Sequence, residues 1–133
     1  MNTCAELFIA NLESKKLKYE VRELGDETLV SFPYDNRKTN FVFAGDEGDH
    51  AQMMTVLESV PDDKYVDVVL ACNQVNARFR FVKFVVDKDN DVVVFTDAIL
   101  DPSSAGDECF ELLVRSLKII SDAKPTVMKA IYG

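Results

Sequence analysis

The stretch LACNQVNARFRFVKFVVDKDNDVVVFTDAIL, residues 70–100, decides the fold of this chain. Its first third continues a helical spacing of apolar residues that ends near Phe79, and beyond that point the period becomes two. The polar run Lys88–Asp91 separates two apolar runs, which is typical of a hairpin turn. The stretch therefore predicts the end of a helix followed by strands at Phe81–Asp87 and Val92–Leu100.

The elements before this stretch follow from the same two periodicities. Thr3 and Glu6 have the spacing of a capping box, which predicts a first helix that closes at Lys15 and Lys16. From Leu17 the period changes to two, which predicts strands, and Asp35-Asn36 supplies one of their turns. The predicted strands are Leu17–Val21, Leu29–Tyr34, Phe41–Ala44 and about His50–Val60.

Two further helices complete the predicted order. Pro61-Asp62-Asp63 suits the first turn of a helix, because proline needs no amide partner there and acids favour the positive end of the dipole. A third helix begins at Ser104 and is predicted to end at Pro125, with one last apolar turn beyond it. The His50–Val60 run is apolar on both sides near its middle, so a helix remains an alternative there. The order α-β-β-β-β-α-β-β-α predicts an α+β fold, a six-stranded, mostly antiparallel sheet with three helices.

Composition and charge narrow the functional classes. A length of 133 residues fits one domain, so we expect residues 1–133 to form a single unit. The net charge of −8 disfavours nucleic acids and anionic membranes as partners, and no apolar run approaches the ~18–20 residues that cross a bilayer. The N-terminus also lacks the features of a signal peptide. Cys4, Cys72 and Cys109 are odd in number and far apart, which predicts reduced, buried thiols and a cytoplasmic location.

No set of polar residues has the spacing of a catalytic, cofactor or metal site. The acids of Asp87–Asp91 resemble the opening of a calcium loop, but Val92 and Ala98 stand where that loop needs glycine and glutamate. A structural zinc site needs about four ligands, and His50 is the single histidine. We therefore predict a protein that is not an enzyme and that holds no metal and no cofactor.

Asn73 and Asn76 are the polar pair that is hardest to assign to the surface. Asparagine is a poor helix former, and residues three apart share one helical face. Cys72 and Val75 flank the pair, which favours a position at the margin of the core. Because buried amides are hydrogen-bonded, we predict bonds to the backbone of the first helix or of the following strand. Exposure to water and ligand binding are the alternatives.

The hairpin also predicts a binding surface. A two- or four-residue turn pairs Asp87 with Val92 and Phe84 with Phe95, which sends Phe84, Val93 and Phe95 to the core. The opposite face is too apolar for an ordinary wet surface, yet it contains a lysine, and this mixed character suits a homodimer interface. A three-residue turn would reassign the faces of the second strand. The candidate interface residues are Phe81, Lys83, Val85, Val92 and Val94.

The segment CNQVNARFRFVKFVVDKDNDVVVFTDAIL, residues 72–100, resembles the YbjN family, whose proposed role is sensory transduction regulation in bacteria. The resemblance covers roughly residues 3–122. The family is similar in fold to type III secretion chaperones, small acidic α+β proteins that act as dimers and bind other chains. The residues at the matching motif places are Asn73, Asn76, Phe79, Phe81 and Phe84.

The resemblance implies a chaperone-like or regulatory module that binds a protein partner in the cytoplasm and forms a homodimer. A true secretion chaperone, which holds an unfolded segment of an exported protein, is the alternative within this class. A small-ligand sensor with a cleft near Asn73 and Asn76 is the contrasting alternative.

Overall fold

Helices and strands form in the order that the periodicities predict. The computed structural model of the chain describes residues 1–34 and 37–133, and the predicted turn at Asp35-Asn36 lies outside the described residues. The helices are α1 (Thr3–Ser14), α2 (Tyr65–Arg78, preceded by one 3-10 turn at Asp62–Lys64) and α3 (Ala105–Tyr132). The strands are β1 (Glu20–Leu24), β2 (Glu27–Tyr34), β3 (Arg37–Ala44), β4 (His50–Ser59), β5 (Lys83–Val86) and β6 (Asp91–Ile99). The predicted fold class is confirmed, and the His50–Val60 run is a strand.

The strands form one sheet in the order β1-β2-β3-β4-β6-β5, and every neighbouring pair is antiparallel. Side chains alternate between its faces, so that Phe41 and Phe43 of β3 are fully buried while Val42 between them is half-buried. The ring of Phe8 on α1 lies 4.8 Å from the ring of Phe41 and 5.7 Å from that of Phe43, measured between centroids. The helices therefore cover one face of the sheet, and no described helix packs on the other.

Helix α1 begins one residue earlier than the predicted capping box. The Asn2 side chain accepts a hydrogen bond from the backbone N–H of Ala5 at 3.1 Å, which makes Asn2 the N-cap. Its Nδ2 donates to the carbonyl oxygen of Phe43 at 3.0 Å. The predicted capping box of Thr3 and Glu6 is wrong, because Asn2 satisfies the orphan amide and also attaches the helix to β3.

Helix α3 does not end at Pro125, so that prediction is wrong. The helix continues for 28 residues through the proline. An internal proline costs about 3 kcal/mol, because it removes a hydrogen bond and crowds the preceding turn. Burying each large aliphatic side chain contributes about 1.5–3 kcal/mol, and Ile120, Val127 and Ile131 are all buried on either side of the proline. Burial of the apolar side chains that continue beyond Pro125 therefore offsets the free-energy cost of the proline.

Candidate functional site

The turn between β5 and β6 is a three-residue loop. Asp87 N–H donates to the carbonyl oxygen of Asp91 at 2.9 Å, and Asn90 adopts the left-handed conformation with φ 57°. Oδ1 of Asp87 accepts from the backbone N–H groups of Asp89 and Asp91, both at 3.0 Å. The Asp87 carboxylate thus stabilises the turn from within, as aspartate commonly does at such positions.

This turn shifts the register of the hairpin by one residue from the predicted pairing. Phe84 lies opposite Val94, not opposite Phe95, and Val86 lies opposite Val92. A shift of one residue moves every side chain of a strand to the other face of the sheet. Val92 and Val94 are fully buried under the helices. The prediction that placed these two valines on the binding surface is therefore wrong.

The same shift places Val93 and Phe95 on the uncovered face, where they were not predicted. On that face, Val93 of β6 lies between Val85 of β5 on one side and Val56 of β4 on the other. Phe95 in turn lies opposite Met54. We call these five residues the outer cluster: Met54, Val56, Val85, Val93 and Phe95.

The outer cluster is apolar although no described helix covers it. Val56 is 44% exposed, Met54, Val85 and Phe95 are half-buried, and Val93 is buried by its neighbours. Sequence reasoning missed Met54 and Val56 as surface residues. The sequence did indicate an apolar outer face at this strand, because the residues in the middle of β4 are apolar at both odd and even positions.

Polar groups surround this cluster. Lys83 lies opposite Phe95, and its Nζ lies 6.0 Å from the centroid of the Phe95 ring, at the limit of a cation–π contact. Along the neighbouring row, Gln52 Nε2 donates to Asp97 Oδ1 at 2.9 Å. An apolar centre with a polar margin is the usual anatomy of a protein-binding surface.

Phe81 lies apart from the strand that it was predicted to extend. Its φ of 74° is unusual for a residue with a side chain, and Val82 N–H donates to the carbonyl oxygen of Arg80 at 2.9 Å across it. This γ-turn leaves the Phe81 side chain 60% exposed beside a cleft that reaches Leu112 of α3. Lys83 and Val85 remain candidate interface residues on the outer face.

Asn76 makes the predicted bonds to the following strand. Its Nδ2 donates to the carbonyl oxygen of Phe84 at 2.9 Å, and its Oδ1 accepts from the Phe84 N–H at 2.8 Å. Asn73 is exposed, and within the described part of the chain its side chain has no hydrogen bond, so the prediction for this residue is wrong. Of the two motif phenylalanines, Phe84 is buried in the core and Phe79 is half-buried against it. The arrangement gives no support to a ligand cleft at the asparagine pair.

The three cysteines are free thiols and all are buried. Burial raises the pKa of the Cys72 thiol to about 11. Burial, followed by the nearby Cys4 and Glu108, raises the pKa of Cys109 to about 12. Because the thiolate is the reactive form, these groups are held in the unreactive state at neutral pH.

The described part of the chain contains no candidate metal site and no candidate membrane-spanning helix. Among its histidine, cysteine, aspartate and glutamate side chains, no group of three or more is placed to hold a metal ion. No helix within residues 1–34 and 37–133 combines the length and the apolar composition needed to cross a bilayer.

Comparison with known proteins agrees with this geometry. Residues 5–127 match the family YbjN, described as "Putative bacterial sensory transduction regulator". The crystal structure of YbjN from E. coli has a TM-score of 0.69 at 14% identity, covering 93% of this chain and 89% of that one. The Yersinia pestis type III secretion chaperone SycH, crystallised with a stable fragment of YscM2, has a TM-score of 0.51 at 10% identity, covering 87% of this chain and 98% of that one. No curated protein matches the sequence significantly. The predicted similarity in fold to secretion chaperones is confirmed.

Proposed function

This chain belongs to the YbjN family, and from that premise we propose that it is a non-enzymatic, chaperone-like or regulatory module that binds another protein in the cytoplasm. Three buried, free cysteines suit a reducing compartment. A net charge of −8 disfavours nucleic acid as the partner, because phosphate binding depends on dense lysine and arginine.

The observation that carries the proposal is the outer cluster on the uncovered face of the sheet. Burial of apolar surface contributes about 25 cal/mol per Å², and the side chains of Val56, Phe95 and Met54 still expose part of that surface to water. A partner chain that covers them gains this free energy without any rearrangement of the fold. The bonded polar pair Gln52 and Asp97 then forms part of the rim.

The structural neighbours support a protein partner. SycH, which shares this fold, was crystallised with a fragment of another protein. A secretion chaperone that holds a segment of an exported protein is therefore the second candidate within the same class. The regulatory role is supported by the description of the family.

We also propose that two copies form a homodimer by covering each other's outer clusters. An interface about a two-fold axis uses the same patch on both copies. Each Val56 and Phe95 is then removed from water while no partner is bound. A partner protein competes with the second copy for the same surface.

The proposal is tested by affinity capture from the native cell with three tagged proteins: wild type, Val56→Glu and Val114→Glu. Val56 is 44% exposed in the outer cluster, and Val114 is 50% exposed on α3, so the two substitutions add the same charge at similar exposure. We expect a partner that is captured by wild type and Val114→Glu and is lost with Val56→Glu, at equal thermal midpoints. Equal capture of that protein by all three would show that the outer cluster does not bind it.

A further inference from the structure

Strand β5 stops before its neighbour β6 does. The pairing of the two strands begins with Lys83 opposite Phe95, whereas β6 continues to Ile99. Phe81 would lie opposite Asp97 in the same register, but its positive φ and γ-turn end the ladder there. The carbonyl oxygen of Phe81 accepts a hydrogen bond from the Thr96 side chain of β6, not from a backbone N–H of that strand. The last residues of β6, from Asp97 to Ile99, therefore have β4 on one side and no strand of the described chain on the other.

Alternation of the backbone hydrogen bonds shows which groups of β6 face that open side. The backbone N–H and C=O groups of the even-numbered residues of β6 face β4. The bond just after the strand follows the same alternation, because Leu100 N–H donates to the carbonyl oxygen of Asp49 at 2.8 Å. The odd-numbered residues Asp97 and Ile99 consequently direct their N–H and C=O groups to the open side. In the described part of the chain, no backbone hydrogen bond joins them to the loop of residues 79–82.

The open edge adjoins a cleft that is lined by apolar side chains, two glutamates and one arginine. The cleft has a volume of about 410 Å³ and lies between the end of β6 and α3. Ile99 is 85% exposed and Phe81 is 60% exposed beside it. Glu108 and Glu111 lie on the α3 side. Arg115 forms an ion pair with Glu111 at 2.7 Å, and Glu108 accepts a hydrogen bond from the Ser104 hydroxyl but has no cationic partner in the described part of the chain.

We propose that the edge Asp97–Ile99 with its cleft, the β6 slot, accepts a short extended segment of another protein as an added strand. The backbone of that segment bonds the free groups of Asp97 and Ile99, and one aliphatic side chain enters the cleft. Lysine or arginine beside it faces Glu108. A second copy of this chain, with a net charge of −8, is a poorer occupant than a basic segment.

The other end of the same sheet edge is closed. The outward backbone groups of Phe84 on β5 are bonded by the Asn76 side chain, so an incoming strand finds no partners there. Asn76 thus bounds the β6 slot on the β5 side, which limits the added strand to a few residues. The slot uses backbone groups of β6 and none of the five side chains of the outer cluster, so its failure would leave the proposed function standing.

Amide hydrogen exchange of the full chain tests the geometry first. We expect the amides of Asp97 and Ile99 to exchange at least about 100-fold faster than those of Thr96 and Ala98, which bond β4. Equal protection of all four amides would mean that the edge is already closed, and would overturn the proposal.

A peptide probe tests the binding. Fluorescence anisotropy with the labelled octapeptide SKVTIKVS is expected to give saturable binding to the wild-type chain. A version with N-methylated backbone nitrogens is expected to bind at least about tenfold more weakly, since one lost hydrogen bond is worth ~1 kcal/mol and two are removed. A version with glutamate in place of both lysines is expected to weaken similarly.

The matched variants are Ile99→Pro and Ile99→Val. Ile99→Pro removes an N–H that β4 does not use, so we expect the fold to persist and SKVTIKVS to bind at least about tenfold more weakly. Ile99→Val keeps the N–H and is expected to bind as wild type does. The proposal is overturned if wild type does not bind up to 1 mM peptide, or if it binds the N-methylated probe as tightly as SKVTIKVS. Both outcomes use the wild-type chain, so they decide the matter even if Ile99→Pro fails to fold.

Discussion

The side chain of Asn76 holds both backbone polar groups of Phe84, the carbonyl oxygen at 2.9 Å and the N–H at 2.8 Å. An asparagine amide carries N–H donors and a carbonyl acceptor side by side, so the Asn76 side chain bonds Phe84 as the backbone of a neighbouring strand would. Unpaired strand edges are sites of unwanted association, and natural sheets protect them. Asn76 therefore stabilises the hairpin and closes this part of the edge.

Asn76→Leu is expected to lower the free energy of unfolding by about 1–3 kcal/mol, because two backbone groups of Phe84 lose their partner. Asn73→Leu is the control: both asparagines are exposed on the same helix, but only Asn76 bonds the strand, so the effect at Asn73 should stay within ~0.5 kcal/mol. Urea unfolding followed by circular dichroism measures both. Equal midpoints for wild type and Asn76→Leu would contradict the structural role.

Gly106→Ala is expected to destabilise the chain, although alanine is usually the better helix former. A Cβ at position 106 would lie 2.7 Å from the carbonyl oxygen of Leu7 on α1, so the two helices must separate. Overpacking of this kind costs about 1–3 kcal/mol. Thermal unfolding is the measurement, with Ser121→Ala on the exposed side of α3 as control. A higher midpoint for Gly106→Ala would show that α1 and α3 have room to move apart.

Stability is expected to fall as the pH rises from 9 toward 11. The ordinary thiol pKa is 9.0, and burial raises that of Cys72 to about 11 and that of Cys109 to about 12. Unfolded thiols therefore lose protons in a range where the folded ones keep them, which favours the unfolded state at alkaline pH and leaves stability intact below pH 9.

The measurement for this thiol effect is the urea midpoint at pH 8 and at pH 10.5, for wild type and for the double variant Cys72→Ala/Cys109→Ala. Lysines and tyrosines titrate in the same range in both proteins, so the difference between the two declines isolates the thiols. We expect the smaller decline in the double variant. Equal declines would mean that the thiols ionise alike in the folded and unfolded chains.

Dialysis against EDTA is expected to leave the thermal midpoint unchanged. Oδ1 of Asp87 already accepts two backbone N–H groups within its turn, and Val92 and Ala98 occupy the glycine and glutamate places of a calcium loop. Scanning calorimetry before and after dialysis checks this. A fall of several degrees that added calcium reverses would contradict it.

Light scattering of the wild type at tens of micromolar is expected to give twice the chain mass of 15.0 kDa. Val85→Glu places a charge in the outer cluster and should give the monomer with the fold retained, whereas Val114→Glu on α3 should remain dimeric. A monomeric wild type would exclude the homodimer. Unfolding by Val85→Glu would show that Val85 is needed for the fold rather than for association.

The element order was predictable because it depends on local periodicity. The apolar residues of α1 recur every three or four positions and those of the strands every two, and neither pattern needs knowledge of the partner elements. The bond between Asn76 and the following strand was predictable in kind, because an amide near the core margin must find a partner. That Asn76 bonds Phe84 and no other residue of the strand depends on how α2 packs beside β5.

Prediction failed where a single local choice has effects across the molecule. The turn after Asp87 has three residues, with Asn90 at a positive φ. Relative to the predicted pairing, this turn places Val92 and Val94 in the core and Val93 and Phe95 on the uncovered face. Of the five candidate interface residues, Lys83 and Val85 therefore lie on the uncovered face, Val92 and Val94 lie in the core, and Phe81 lies outside β5.

The sequence by itself determined the helices, the strands, their order and the resemblance to the YbjN family, because each rests on patterns within short segments. Only the tertiary structure decided the hairpin register, the continuation of α3 through Pro125 and the position of Phe81 outside β5. The physical reason is that the continuation of α3 depends on long-range packing, while the register depends on a turn whose length the apolar pattern alone does not distinguish. Burial of the stripe around Val127 outweighs the local cost of a proline, and a shift of one residue in β6 decides which side chains meet the core and which meet a partner.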